Sequence, residues 1–283
     1  MTRKQKRDIG TAFRYTMLIA VGIIMVYPLI WMVGATFKTN SEIFTSAWFW
    51  PKNPVSDGYR GAFKSYGGRI DLVKSLLNTY KIVIPKVIFT VFSATIAAYG
   101  FGRFKFKGKG ICFAMLMSTL FLPQVVLNAP QYIMFNRWKW VNTYLPLVIP
   151  SLFAADTYFV FMLIQFLRGV PVELEEAARI DGCNSLKTLW YVIVPMLKPS
   201  LVSCALFQFM WTNNDFQGPL IYLADMHRYT NSVYLRMSMD GDVGFQWNRI
   251  LAMSLISIMP SLTVFFCAQS AFIDGIAAGG VKG

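Results

Sequence analysis

The 283-residue chain has one histidine, His227, and four cysteines, Cys112, Cys183, Cys204 and Cys267, none of them in a CxxC pair. Without a Cys/His cluster the sequence argues against a metal centre. With a single histidine, in a segment predicted to be an external loop, no Ser/His/Asp set or pair of catalytic carboxylates can be assembled. Three of the cysteines sit inside apolar runs and read as reduced packing residues. A phosphate-cradling loop is missing as well. The closest string, Gly102 through Gly110, has the wrong spacing, and Lys109 is followed by glycine where a Ser or Thr would hold magnesium. The chain is therefore not read as an enzyme, and no cofactor is expected on it.

Charge is also scarce, at 14% of residues, whereas 55% are apolar. That balance fits a multi-span membrane protein better than a soluble domain. The net charge of +13 does not imply nucleic acid, because the basic residues lie in short clusters beside apolar runs. Apolar runs long enough to cross a bilayer occur at about 15–37, 78–102, 111–133, 144–167, 199–223 and 250–273. None shows two-residue alternation, which disfavours a β-barrel. The first run is too long for a signal-peptide core and is read as a retained span. The predicted fold class is all-α integral membrane protein, with six transmembrane helices over 15–273, a basic tail at 1–14 and a C-terminal tail at 274–283.

Lysine and arginine in the flanks set the predicted orientation. Arg3, Lys4, Lys6, Arg7 and Arg14 precede the first span, and Arg103, Lys105, Lys107 and Lys109 lie between the second and third. Both places should be cytoplasmic. Both termini and the loop at 168–199 then fall on that side, and the segment from about 38 to 77 falls outside. Trp31, Trp48, Trp50, Trp138, Trp140 and Tyr144 lie near predicted interfaces and read as anchors there.

The loop is a polar, helix-forming island between apolar runs. Pro171 suits a helix start, and Glu173, Glu175 and Glu176 fall in a first turn, where acids complement the helix dipole. Glu175 and Arg179 are four apart and can pair weakly on the surface. Leu174, Ala177, Ala178 and Asp181 fall on one face. Gly182 should end the helix, and Asn184 or Ser185 should cap a second one presenting Leu186, Leu189, Trp190 and Ile193. Pro195 and Pro199 should break or redirect that helix. A bland alternative is an amphipathic helix lying on lipid, but the acidic first half suits an anionic leaflet poorly.

Glu176-Ala177-Ala178, three residues, Gly182 and a later Pro195 resemble the EAA loop of ABC-importer permeases, with Cys183 where the family often has alanine. Asn78-Thr79, the run Ala98 to Phe104 and the tail Gly279 to Gly283 resemble the carbohydrate-importer permeases, in particular the maltose-type second permease subunit. Trp211 to Leu220 resembles a further stretch of that family, with Asn213 where an aromatic is common. The resemblance implies that Glu173, Glu176, Ala177, Ala178, Asp181, Gly182 and Lys282 dock an ATPase. It also implies a second homologous permease, two ATPase subunits carrying ATP and magnesium, an extracytoplasmic binding protein and a bacterial inner-membrane location. No nucleic-acid partner is expected.

Gln208, Asn213, Asn214, Asp215 and Gln217 stand in an otherwise apolar stretch and are candidates to line a path, the Asn214-Asp215 group alternatively holding helices together by hydrogen bonds. Asp156, Lys81 and Lys86 pose the same question; Asp156 can instead pair with a neighbouring helix, and Lys81 can snorkel to the outer interface. Lys81, Arg137 and Lys139 near the outer face would suit an acidic sugar polymer, and equally suit plain solvation. Two other readings stay open: a permease for amino acids or peptides, and an ion-coupled transporter using Lys81, Asp156 and Asp215 as a relay.

Overall fold

A computed structural model describes residues 3–65, 68–239 and 245–280, with side chains described from residue 10 to 269 of these. Helices dominate the described residues, and four of them are long and apolar enough to cross a membrane: Gly10–Ala35, Leu72–Arg103, Leu145–Leu167 and Trp247–Gln269. Two further crossings are bent pairs, Lys109–Thr119 with Gln124–Arg137 at 102° and Ser185–Met196 with Lys198–Asn213 at 79°. Read this way, the spans number up to six, in the order the hydropathy predicts.

Three of the six depart from simple rods. In the third, the amides of Leu120, Phe121 and Leu122 bond three residues back to Met117, Ser118 and Thr119, and Pro123 then supplies no amide at all. The tightened turns end the first helix, and Pro123 opens the second as its N-terminal flank. The fourth is interrupted after Ile149–Phe153 by Ala154, whose φ of 55° ends the helical run ahead of Asp156. A non-glycine residue there costs roughly 1–2 kcal/mol, so the surroundings must hold it. In the fifth, the helix Lys198–Asn213 follows the 79° bend, and a second short helix, Gln217–Tyr222, comes after a further break. Pro199 starts this span instead of breaking the preceding helix; it sits in the first turn, where its missing amide costs nothing.

The chain divides into two compact units. One comprises residues 1–66 and 235–258. Here the stretch after the first helix folds into two short helices, Asn40–Thr45 and Asp57–Ala62. Lys38 is fully buried; its Nζ donates to the carbonyls of Ser46 at 2.8 Å and Trp48 at 2.6 Å and lies over the Trp31 ring. A charge so buried survives because every contact it makes is an acceptor or an aromatic face.

The other unit comprises residues 67–234 and 259–283. Its core lies where the second span packs on the fourth and fifth, through Ala94, Ala98, Phe159, Val160, Leu163, Ile164 and Cys204. Small residues on the second span let these helices approach. At Gly102 an added Cβ would stand 2.4 Å from Leu167 Cδ2. Asn78 and Thr79 open this span's partnership with a distant loop. Asn78 Nδ2 donates to the carbonyls of His227 and Tyr229, at 2.8 and 3.2 Å, and Thr79 Oγ1 accepts from the Asn231 amide.

Candidate functional site

Two places in the second unit bring the predicted site residues together. The first is the polar loop. Its leading helix is Glu173–Ile180, ended by Gly182 at φ 82°, and the Cys183 amide closes the turn on the Ala178 carbonyl at 2.9 Å. That conformation is free of steric cost only for glycine. Asn184, not Ser185, caps the next helix by accepting the Lys187 amide at 2.9 Å. The second helix runs through a π-turn at Leu189–Ile193 before the 79° bend.

The loop has a bound face and a free face. Leu189, Ile193 and Leu197 are buried with Tyr99, Leu167 and Val170, while Leu186 and Trp190 of the same helix stay exposed. The expected surface pair of Glu175 with Arg179 does not form. Glu175 is 2% exposed and makes an ion pair with Arg103, at the end of the second span. Tyr99 Oη donates to the other carboxylate oxygen at 3.3 Å, and Arg103 Nη2 donates to the Val170 carbonyl at 2.6 Å. The inward face therefore centres on Glu175 and Ala178; of the face formed by Leu174, Ala177, Ala178 and Asp181, only Ala178 is buried. Ala178 is buried, whereas Glu173, Glu176, Ala177, Asp181 and Gly182 are exposed. Ile180, 87% exposed, projects from the same free side. Lys282 lies outside the described residues.

The second place is a cavity of about 540 Å³. Its walls come from Gln124–Arg137, from the broken fourth span, from the segment at 215–222 and from Lys86 on the second span. Asp156 stands at the interruption after Ala154. Its Oδ2 accepts from Thr90 Oγ1 at 2.9 Å and from Gln208 Nε2 at 3.4 Å. Asp215 Oδ1 accepts the Gly218 amide at 3.0 Å, which holds the short helix that follows. Lys86 lines the cavity and makes no hydrogen bond or ion pair among the described residues.

Of the five path candidates, Asp215 and Gln217 reach the cavity. Gln208 is 2% exposed and serves Asp156 and Thr212 from behind it. Asn213 donates to Ser261 Oγ at 2.9 Å, and Asn214 is an exposed C-terminal cap. Gln208 and Asn213 bond the fifth span to neighbouring helices, whereas the Asn214 side chain, for which that role was the alternative, bonds no other helix among the described residues. Lys81 is exposed and away from it, so the relay of Lys81, Asp156 and Asp215 is not assembled. Trp138 and Trp140, expected as interface anchors, are wall residues of the cavity. Trp140 stacks on Phe135 at 5.6 Å, and Phe135 meets Tyr222 edge-on. The sequence showed these rings but not their convergence.

Residues 9–277 match the model of the binding-protein-dependent transport system inner membrane components. The chain belongs to that family. Its relatives include a "Probable ABC transporter permease protein YurM" of Bacillus subtilis (strain 168), 29% identical over 99% of this chain and 91% of the relative. The galactooligosaccharides transport system permease protein GanQ of the same organism is 27% identical over 99% and 98%. Among solved structures, a chain of a bacterial ABC transporter involved in the import of the acidic polysaccharide alginate superposes with a TM-score of 0.81, covering 96% of this chain and 99% of that one at 17% identity. The chain is thus a multi-pass inner-membrane permease component of an ABC importer.

Proposed function

We propose that this permease is one membrane half of an ATP-driven importer of carbohydrate, most simply an oligosaccharide, delivered by an extracytoplasmic binding protein. The sugar assignment is supported by the galactooligosaccharide and alginate systems to which the similar chains belong. A second, homologous permease completes the pathway, and two ATPase subunits, holding ATP and magnesium, dock on the cytoplasmic side. Both termini lie on that side, as the basic flanks require.

The observation that carries the reading is the two-faced loop around Gly182. Its free face offers Glu173, Glu176, Ala177, Asp181 and Ile180 to another protein, while Glu175 fastens it to the end of the second span through Arg103. A push on the free face is therefore delivered to a long helix and not dissipated in the loop. Closure of the ATPase pair would rock the spans as rigid bodies between inward- and outward-open states.

The test is Gly182→Trp in the assembled importer in proteoliposomes. Apart from its chain neighbours, no described residue lies within 4 Å of a Cβ at Gly182, so the added side chain leaves the backbone into open space at a positive φ. The expected result is ATP hydrolysis that continues without uptake. Coupled uptake at the wild-type rate would overturn the reading.

A further inference from the structure

The cavity differs from what the exposed charge of the chain suggests. Lys81, Arg137 and Lys139, which would suit an acidic sugar polymer, are all exposed and none lines it. The charged lining is Lys86, Asp156 and Asp215, which leaves one negative charge in excess. Neither aspartate is neutralised by an ion pair among the described residues. Asp156 is held by Thr90 and Gln208 and Asp215 by the Gly218 amide, all uncharged donors. Both bonds to Asp156 fall on Oδ2 and the bond to Asp215 falls on Oδ1, so Asp156 Oδ1 and Asp215 Oδ2 remain to accept further bonds.

We infer that this cavity is a subsite, within this subunit, for one uncharged sugar ring of the cargo, and that it discriminates against rings bearing a carboxylate. The inference rests on the carbohydrate reading above. A volume of about 540 Å³ lies inside the usual range for small-molecule sites, roughly 300–1,000 Å³. The Trp138 and Trp140 rings supply an apolar wall for the C–H face of a sugar. The two carboxylates accept from hydroxyls, and Lys86 donates to a ring or hydroxyl oxygen. A uronate brought to the same place would meet two negative charges against one positive. Asp156 and Asp215 are placed at breaks in the fourth and fifth spans, irregular backbone of the kind tolerated in a membrane protein where it borders a cavity.

The experiment is binding of a neutral galactotriose and of a trigalacturonate to the complete importer in nanodiscs, without binding protein, by saturation-transfer NMR. Wild type should favour galactotriose by roughly tenfold or more. The Asp156→Asn/Asp215→Asn variant keeps one acceptor oxygen at each position, turns the other into an NH2 donor that a sugar hydroxyl can still accept from, and removes both charges, so the preference should fall to near parity. Lys86→Met should widen it. Should the double variant fail to assemble, Asp215→Asn alone, with its cap retained, should still lose a large part of the preference. ATPase stimulation by binding protein checks that the variants are intact. A wild-type preference for trigalacturonate, or a preference unmoved by the variants, overturns the inference alone. Failure of the intact importer to take up any sugar, with uptake of some other solute, overturns the carbohydrate reading itself.

Discussion

Glu175 and Arg103, seventy-two positions apart in the chain, form a buried ion pair that joins the exposed loop to the end of the second span. Glu175→Ala would strand the Arg103 guanidinium in an enclosed site, and breaking such a pair from one side costs about 3–5 kcal/mol. Glu173→Ala, on the free face, should stay within about 0.5 kcal/mol of wild type in stability. Thermal unfolding of the detergent-solubilised complex compares them directly. A Glu175→Ala complex as stable as Glu173→Ala would show that the pair is not structural.

The cap at Asn184 has its own cost. Asn184→Ala frees the Lys187 amide and should destabilise the second loop helix by about 1 kcal/mol, with Asn184→Asp close to neutral. Hydrogen exchange over 185–193 reads this locally: faster exchange in the alanine variant only.

Gly182, Asn184 and the acidic first turn were legible from sequence because their causes are local. A positive φ, an orphan amide and a helix dipole each act within a few residues. The partner of Glu175 was not legible. Spacing offered Arg179, four residues on, whereas burial favoured Arg103, which only the packing of the second span against the loop brings near. The bent third span was hidden for a similar reason. Hydropathy over 111–133 registers length and composition, and the run of three-residue turns before Pro123 leaves both unchanged. Gln208 and Asn213 were visible as polar groups in a span, but one sequence cannot say whether such a group faces a cavity or another helix.

Gln208 depends on Asp156. Asp156→Ala removes the acceptor for both Thr90 and Gln208, and leaving a buried amide short of a partner costs about 1–3 kcal/mol. Gln208→Leu on top of Asp156→Ala should recover part of that loss, which thermal unfolding of the four members of the cycle would show. Strict additivity would mean that the two residues do not interact.

At the other end of the fourth span, Gly102→Ala pushes a methyl group against Leu167 Cδ2. A loss of about 1–3 kcal/mol is expected from overpacking. Leu167→Ala in the same chain should relieve the clash, so the double variant should fall short of the sum of the two single losses. The unfolding midpoints of the three variants settle it.

The account as a whole depends on what touches the free face of the loop. Ile180→Cys, in a chain whose own four cysteines are replaced by serine or alanine, places a thiol where the native side chain is 87% exposed. Crosslinking this thiol in inside-out vesicles of the working importer is predicted to yield one product, this permease joined to the ATPase subunit, with a yield that changes on ATP binding. Labelling of the same thiol only from the extracytoplasmic face, or no crosslink to the ATPase in any nucleotide state, would contradict the account.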